Sequence, residues 1–167
     1  MLTFHLNVEQ TLRAPLERVF RFFADASNLE AITPKIVGFR ILTPLPIEMG
    51  VGTLIDYSIR LHGIPMRWRT RIDAWEPPDP GGKGRGRARF VDTQLRGPYR
   101  VWIHEHAFEA LASTDGVEST LVKDHVQYAV PGGPGLERLI ERWFVRPRVE
   151  QIFAHRKAAI ERLIVDS

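Results

Sequence analysis

His104 and His106 stand two residues apart in a segment whose side chains alternate with a period of two, and Asp124 lies on the next segment of the same kind. An imidazole beside a carboxylate is a general base with the group that orients it. Two imidazoles and one carboxylate are also the donor set of a mononuclear metal site. Which chemistry applies depends on the elements that carry these residues.

Along 117–130 the even positions Val122, Asp124, Val126, Tyr128 and Val130 are mostly apolar, whereas Ser119, Lys123, His125 and Gln127 are polar. The even set is therefore predicted to face inward from a strand. A turn centred on Asp115 pairs residues whose numbers sum to about 230. Trp102 then faces Tyr128, His104 faces Val126, and His106 faces Asp124. The same arithmetic at Arg96-Gly97-Pro98 puts Asp92 beside Trp102 and Phe90 beside His104. On 65–75 the charged odd positions Arg67, Arg69, Arg71 and Asp73 point outward, leaving Met66, Trp68, Thr70 and Ile72 inside. The strand before it offers Tyr57, Ile59 and Leu61.

This arrangement predicts an inner wall with more polar groups than a plain core holds. Asp92, Gln94, Arg100, His104, His106 and Asp124 fall among Trp68, Phe90, Trp102, Phe108 and Tyr128. Burying an unpaired charge costs several kcal/mol, so these groups pair, stay hydrated or meet a ligand. Pairing of His106 with Asp124 and of Arg100 with Asp92 would make the cluster a scaffold. A ligand would make it a site, with Tyr128 or Arg100 able to stabilise a developing enolate. A metal held by His104, His106 and Asp124 is the least favoured reading, because two histidines on a strand are a weak motif. The expectation is no metal and no cofactor.

The remaining pattern supplies the elements. Phe4, Leu6 and Val8 mark a first strand. Ala14-Pro15 opens a helix with Leu16, Val19, Phe20 and Phe23 on one face, and a short second helix ends before Pro34. Strand patterns follow at 36–42, 52–61, 65–76, 86–95, 99–111 and 117–130, separated by turn formers. The low-complexity stretch Gly81 to Arg87 reads as a mobile loop. After Pro131-Gly132-Gly133 a long helical pattern runs from Leu136 to Ile164, kinked or divided at Pro147, with Trp143 or Phe144, Ile152 and Phe153 expected inside. The predicted fold is α+β: a curved antiparallel sheet of about seven strands around a long C-terminal helix, in a single domain over 1–167. A hollow between sheet and helix is where a ligand would sit.

Composition fits this reading and removes others. The chain is 44% hydrophobic and 26% charged and has no cysteine, which excludes disulfides, thiolate catalysis and Cys-based zinc sites. A net charge of +3 is too small to argue for nucleic acid. The start lacks the basic and continuous apolar stretches of a signal peptide, and no run approaches the ~18 apolar residues of a membrane span. A cytoplasmic monomer or homodimer without stable membrane insertion is expected.

The segments Phe90–Phe108 and Asp124–Pro131, with Ala14-Pro15, Ile32-Thr33-Pro34 and Tyr57–Trp68, resemble the START-like (SRPBCC) superfamily, specifically its bacterial ligand-binding members. The resemblance spans about residues 2–160. It implies the helix-grip fold and a cavity for a small hydrophobic or aromatic molecule, and it implies no catalytic set. Binding or transport of a lipid-like or polyketide-like molecule is the leading expectation. A cyclase or dehydratase that uses a His106–Asp124 pair is the alternative.

Overall fold

In the computed structural model, residues 1–61, 63–79, 86–112, 116–133 and 135–165 are described. One seven-stranded antiparallel sheet has the order β1-β7-β6-β5-β4-β3-β2. Its strands are β1 (Phe4–Leu12), β2 (Arg40–Ile41), β3 (Leu54–Leu61), β4 (Ile64–Glu76), β5 (Arg87–Arg96), β6 (Val101–Leu111) and β7 (Ser119–Ala129). Between β1 and β2 come α1 (Leu16–Ala24), α2 (Asn28–Ile32) and a 3-10 turn (Lys35–Val37). The chain ends in α3 (Leu136–Ile140), a π turn (Glu141–Val145) and α4 (Arg146–Val165), the long helix that the sheet grips. None of the described helices is long and apolar enough to cross a membrane.

Two apolar clusters hold the helices to the concave face. Leu16, Val19 and Phe20 of α1 pack with Phe90, Phe108 and Val122 of the sheet and with Ala159, Ile160 and Ile164 of α4. Val126, Tyr128 and Val130 pack with Val149 and Phe153, nearer the start of α4. A cavity remains where neither cluster fills the space between helix and sheet.

Pairing of β6 with β7 follows the predicted register, with Trp102 opposite Tyr128, His104 opposite Val126 and His106 opposite Asp124. Pairing of β5 with β6 does not. Asp92 stands opposite His104 and Phe90 opposite His106, a slip of two residues from the expected Asp92–Trp102 and Phe90–His104 pairs. The cause is the Gln94 side chain. Its amide donates to the Tyr99 carbonyl at 2.7 Å and its oxygen accepts from the Tyr99 amide at 3.4 Å, so it closes a wider turn. Gly97 leaves the space for it, since a Cβ there would lie 2.3 Å from the Gln94 oxygen. A slip of two keeps every side chain on its predicted face.

Three other expectations need correction. The strand predicted over 36–42 shrinks to the two residues of β2, because Ile36 and Val37 belong to the 3-10 turn, which Pro34 precedes and Gly38 ends at φ 54°. The division expected at Pro147 lies just before it, in the π turn, and the helix runs on without a gap through Pro147, the second residue of α4. That wider turn changes the helical phase. Glu141 is buried, while Trp143 and Phe144, one of which was expected inside, are 66% and 61% exposed. Phe153 is buried, as expected, whereas Ile152 is half-buried. Of the low-complexity stretch, residues 81–85 lie outside the described residues, and Arg87 already belongs to β5.

Candidate functional site

Alternation along β5, β6 and β7 carries Asp92, His104, His106 and Asp124 to the concave face, and the β5–β6 slip draws Asp92 against both rings. His104 Nε2 donates to Asp124 Oδ1 at 2.9 Å. His106 Nδ1 lies 2.7 Å from the same oxygen, close enough for strong attraction although out of line for a full hydrogen bond. On their other sides, His104 Nδ1 is 3.7 Å and His106 Nε2 3.4 Å from Asp92 Oδ2. The four groups thus close a ring of alternating imidazole and carboxylate. Both histidines are 4% exposed. Thr70 Oγ1 donates to Asp92 Oδ1 at 3.2 Å. Phe90 stacks on His106 at 4.2 Å between centroids, and Phe23 meets its edge.

This environment separates the two imidazoles. Burial lowers the His104 pKa, the charge of His106 lowers it further, and the two carboxylates recover only part of the loss. For His106 burial also opposes protonation, but the charges and contacts of Asp124 and Asp92 outweigh it and raise the pKa. Burial would raise Asp124 and Asp92, yet the histidines hold both below the ordinary carboxylate value. The ring therefore holds two carboxylates, a histidine that favours its proton and a histidine that gives it up.

The cavity above the ring has a volume of about 180 Å³. Its wall is largely apolar and comes from α1, α2, the 3-10 turn, the sheet and α4. Among the residues singled out from sequence, Tyr57, Trp68, Phe90, Asp92, Trp102, His104 and His106 line it. Tyr57 stacks on Trp68, and Trp102 meets Trp68 edge-on. Trp68 is 6% exposed and its Nε1 is buried without a hydrogen-bond partner among the described residues. The Tyr57 hydroxyl is held protonated by burial and then by the charge of Asp92.

The other four lie off the cavity wall. Gln94 clamps the β5–β6 turn. Arg100 is exposed at the end of that turn, where its backbone N–H donates to the Ala129 carbonyl, so it does not pair with Asp92. Asp124 stands behind the two histidines. Tyr128 is 1% exposed and donates to Glu141 Oε1 at 2.9 Å. Neither Tyr128 nor Arg100 is placed to meet an enolate in the cavity.

Sequence reasoning missed Thr70 as a partner of Asp92, and it missed Glu141, Arg148 and Arg156. Arg148, Ile152 and Arg156 recur every four residues and so share a face with Val149 and Phe153. That spacing was available, but the arginines read as solvated. Glu141 had no such signal: it stands four residues after the equally buried Glu137, and glutamates at that spacing on a helix read as a solvated face.

Donor atoms of Asp92, His104 and His106 lie within 4.8 Å of one another, a spacing that admits a metal ion. The carboxylate of that set is Asp92, where the sequence pointed to Asp124. A proton on His106 accounts for the same convergence of electron pairs.

A family model described as polyketide cyclase/dehydrase and lipid transport matches residues 12–155. The chain belongs to this family. The match covers the end of β1 through most of α4, and with the observed topology it establishes the helix-grip, SRPBCC-like superfamily expected from the sequence. Truncated norcoclaurine synthase of Thalictrum flavum is similar at TM-score 0.63 and 15% identity, over 99% of this chain and 96% of that one. A protein of Thermus thermophilus is similar at TM-score 0.59 and 18% identity, over 93% and 96%. The protein Ara h 8.0201 is similar at TM-score 0.56 and 16% identity, over 99% of each chain. At these identities the likeness is one of fold. No curated protein matches the sequence.

Proposed function

We propose that the chain catalyses proton transfer on a small, largely apolar carbonyl compound, in a cyclisation or dehydration of the kind its family description names. The observation that carries this reading is the His–Asp ring at the cavity floor, where two adjacent imidazoles are pushed toward opposite protonation states. Such pairs give one fold an acid and a base at the same pH. A container for an apolar molecule gains nothing from four buried ionisable groups, whose desolvation costs several kcal/mol.

In this reading His104 is the base that takes a proton from the carbon next to the carbonyl. His106 is the acid that returns a proton to the departing hydroxyl, which leaves as water. The Trp68 N–H and the Tyr57 O–H face the oxygen on which negative charge develops. Asp124 positions both rings, and Asp92 stabilises the protonated His106. The apolar wall excludes water and strengthens each interaction. In support, a solved structure of norcoclaurine synthase, a protein of this fold, holds dopamine and hydroxybenzaldehyde.

Uptake of deuterium at the carbon next to the carbonyl of 2-tetralone, followed by proton NMR in D2O, tests the proposal. Exchange faster than buffer is expected. Binding of 2-tetralone without faster exchange would restore the carrier reading favoured from sequence alone.

A further inference from the structure

Several arginines on the outer face of the sheet meet carboxylates: Arg69 with Asp56 at 2.8 Å, Arg71 with Asp73 at 2.6 Å and Arg87 with Glu109 at 3.2 Å. Arg60, Arg148 and Arg156, which line the cavity, make no ion pair among the described residues. Arg148 donates to Gln151 Oε1 at 3.4 Å. The Arg156 guanidinium lies 5.4 Å from the Phe153 ring centroid, and its Nε is buried without a hydrogen-bond partner among the described residues. Asp25 also lines the cavity, but its Oδ1 already accepts from the Ser27 amide and hydroxyl at 2.9 and 2.6 Å. A buried, unpartnered guanidinium edge costs free energy unless an anion completes it.

The placement gives the cavity a polarity. Its floor, on β5 and β6, carries the His–Asp ring, in which both histidines already face the carboxylates of Asp92 and Asp124, so this end offers an anion no unpaired cation. The opposite side, on α4, carries Arg148 and Arg156 with Ile152 and Phe153 between them, and Arg60 approaches from β3. The arginines are more exposed than the histidines, so the cationic end is the outer one.

We infer that the molecule held here is an apolar carboxylate, whose anionic end is taken by Arg156 with Arg148 while its neutral, reactive end reaches His104 and His106. The planar guanidinium fork matches a carboxylate in two parallel hydrogen bonds. This rests on the proposed function for the reactive end and adds the charge and orientation of the substrate. It predicts binding of one-ended anions, with the apolar body between Phe153 and Trp68.

Titration calorimetry with 2-naphthoate and its neutral counterpart 2-naphthylmethanol tests it. The wild-type protein is expected to bind the carboxylate about tenfold or more tightly than the alcohol, as a charge-assisted hydrogen bond would give. Arg156→Gln should remove that preference and leave the alcohol within about twofold, whereas Arg156→Lys should keep part of it. Thermal denaturation of each variant checks the fold. Equal binding of both probes by the wild type, or an unchanged preference in Arg156→Gln, overturns the inference and leaves the cavity reading intact. Failure of both probes to bind overturns the cavity reading and this inference together. Binding of both with no exchange of 2-tetralone leaves the anion subsite standing and removes the proposed chemistry.

Discussion

Asp124 accepts a hydrogen bond from His104 Nε2 at 2.9 Å, and it does so from behind the cavity wall. A carboxylate in that place fixes the ring and stabilises charge without touching the ligand. Its side chain is 11% exposed, so its partners are nearly all of its solvation.

Asp124→Asn is therefore expected to cost about 3 kcal/mol or more at pH 7, since breaking a buried ion pair strands the remaining partner. The sign with pH follows from linkage. Asp124 has a lowered folded pKa, so its stabilisation is present above the ordinary value of 3.8 and lost as pH falls through the folded one. Urea denaturation from pH 2 to 8 should show the gap between wild type and variant level near neutrality and narrowing as pH falls below the ordinary value of 3.8. A gap that stayed constant would mean the carboxylate is not ionised in the fold.

His106 behaves with the opposite sign. Its folded pKa is raised above 6.5, so its contribution is complete below that value and disappears as pH rises through the folded pKa. Its surroundings are His104, Asp92 and Asp124, with Phe90 stacked on its face and Phe23 edge-on. Wild-type stability should decline on the alkaline side of neutrality, and His106→Gln should flatten that decline. The midpoint of urea unfolding at pH 6, 7, 8 and 9 reads it directly. An identical slope in the variant would place the titration elsewhere.

Tyr128→Phe separates scaffold from site. The lost hydroxyl leaves Glu141 Oε1 with Arg146 Nε at 2.7 Å as its remaining partner. Removing one partner of a buried polar group should cost about 1–3 kcal/mol. Binding of 2-naphthylmethanol should not change, because Tyr128 is off the cavity wall. A weakened probe with unaltered stability would return Tyr128 to the site.

A metal is the competing occupant of the ring. Protein purified without chelators is expected to carry no stoichiometric zinc, iron or manganese by elemental analysis. Near one equivalent, lost in His104→Ala, would make Asp92, His104 and His106 a metal centre and displace the acid–base account.

The sheet, the gripping helix and the inward parity of Asp92, His104 and His106 were legible because period-two and helical patterns record which face is buried. The β6–β7 register was legible too, since the turn formers Thr114-Asp115-Gly116 in the sequence predict the pairing that the strands show. The β5–β6 register was not, because a side-chain clamp at Gln94 adds residues to the turn and no pattern encodes it. That slip alone moves Asp92 from Trp102 to the histidines and so creates the ring. Trp143 and Phe144 were misassigned for a related reason. An inserted π turn rotates the helix beyond it, and apolar spacing read at a constant 3.6 residues per turn cannot register it. The cavity arginines were hidden by their type, which on a helix ordinarily means solvent.

The central claim is that His104 acts as a base in the cavity, and deuterium uptake by 2-tetralone in wild type, His104→Gln and Tyr128→Phe measures it most directly. A positioned general base contributes roughly 100-fold to 10,000-fold, so His104→Gln should lose about 100-fold or more of the exchange rate while still binding 2-tetralone. Tyr128→Phe, corrected for any unfolded fraction, should exchange at the wild-type rate. Equal exchange by His104→Gln and wild type would contradict the account.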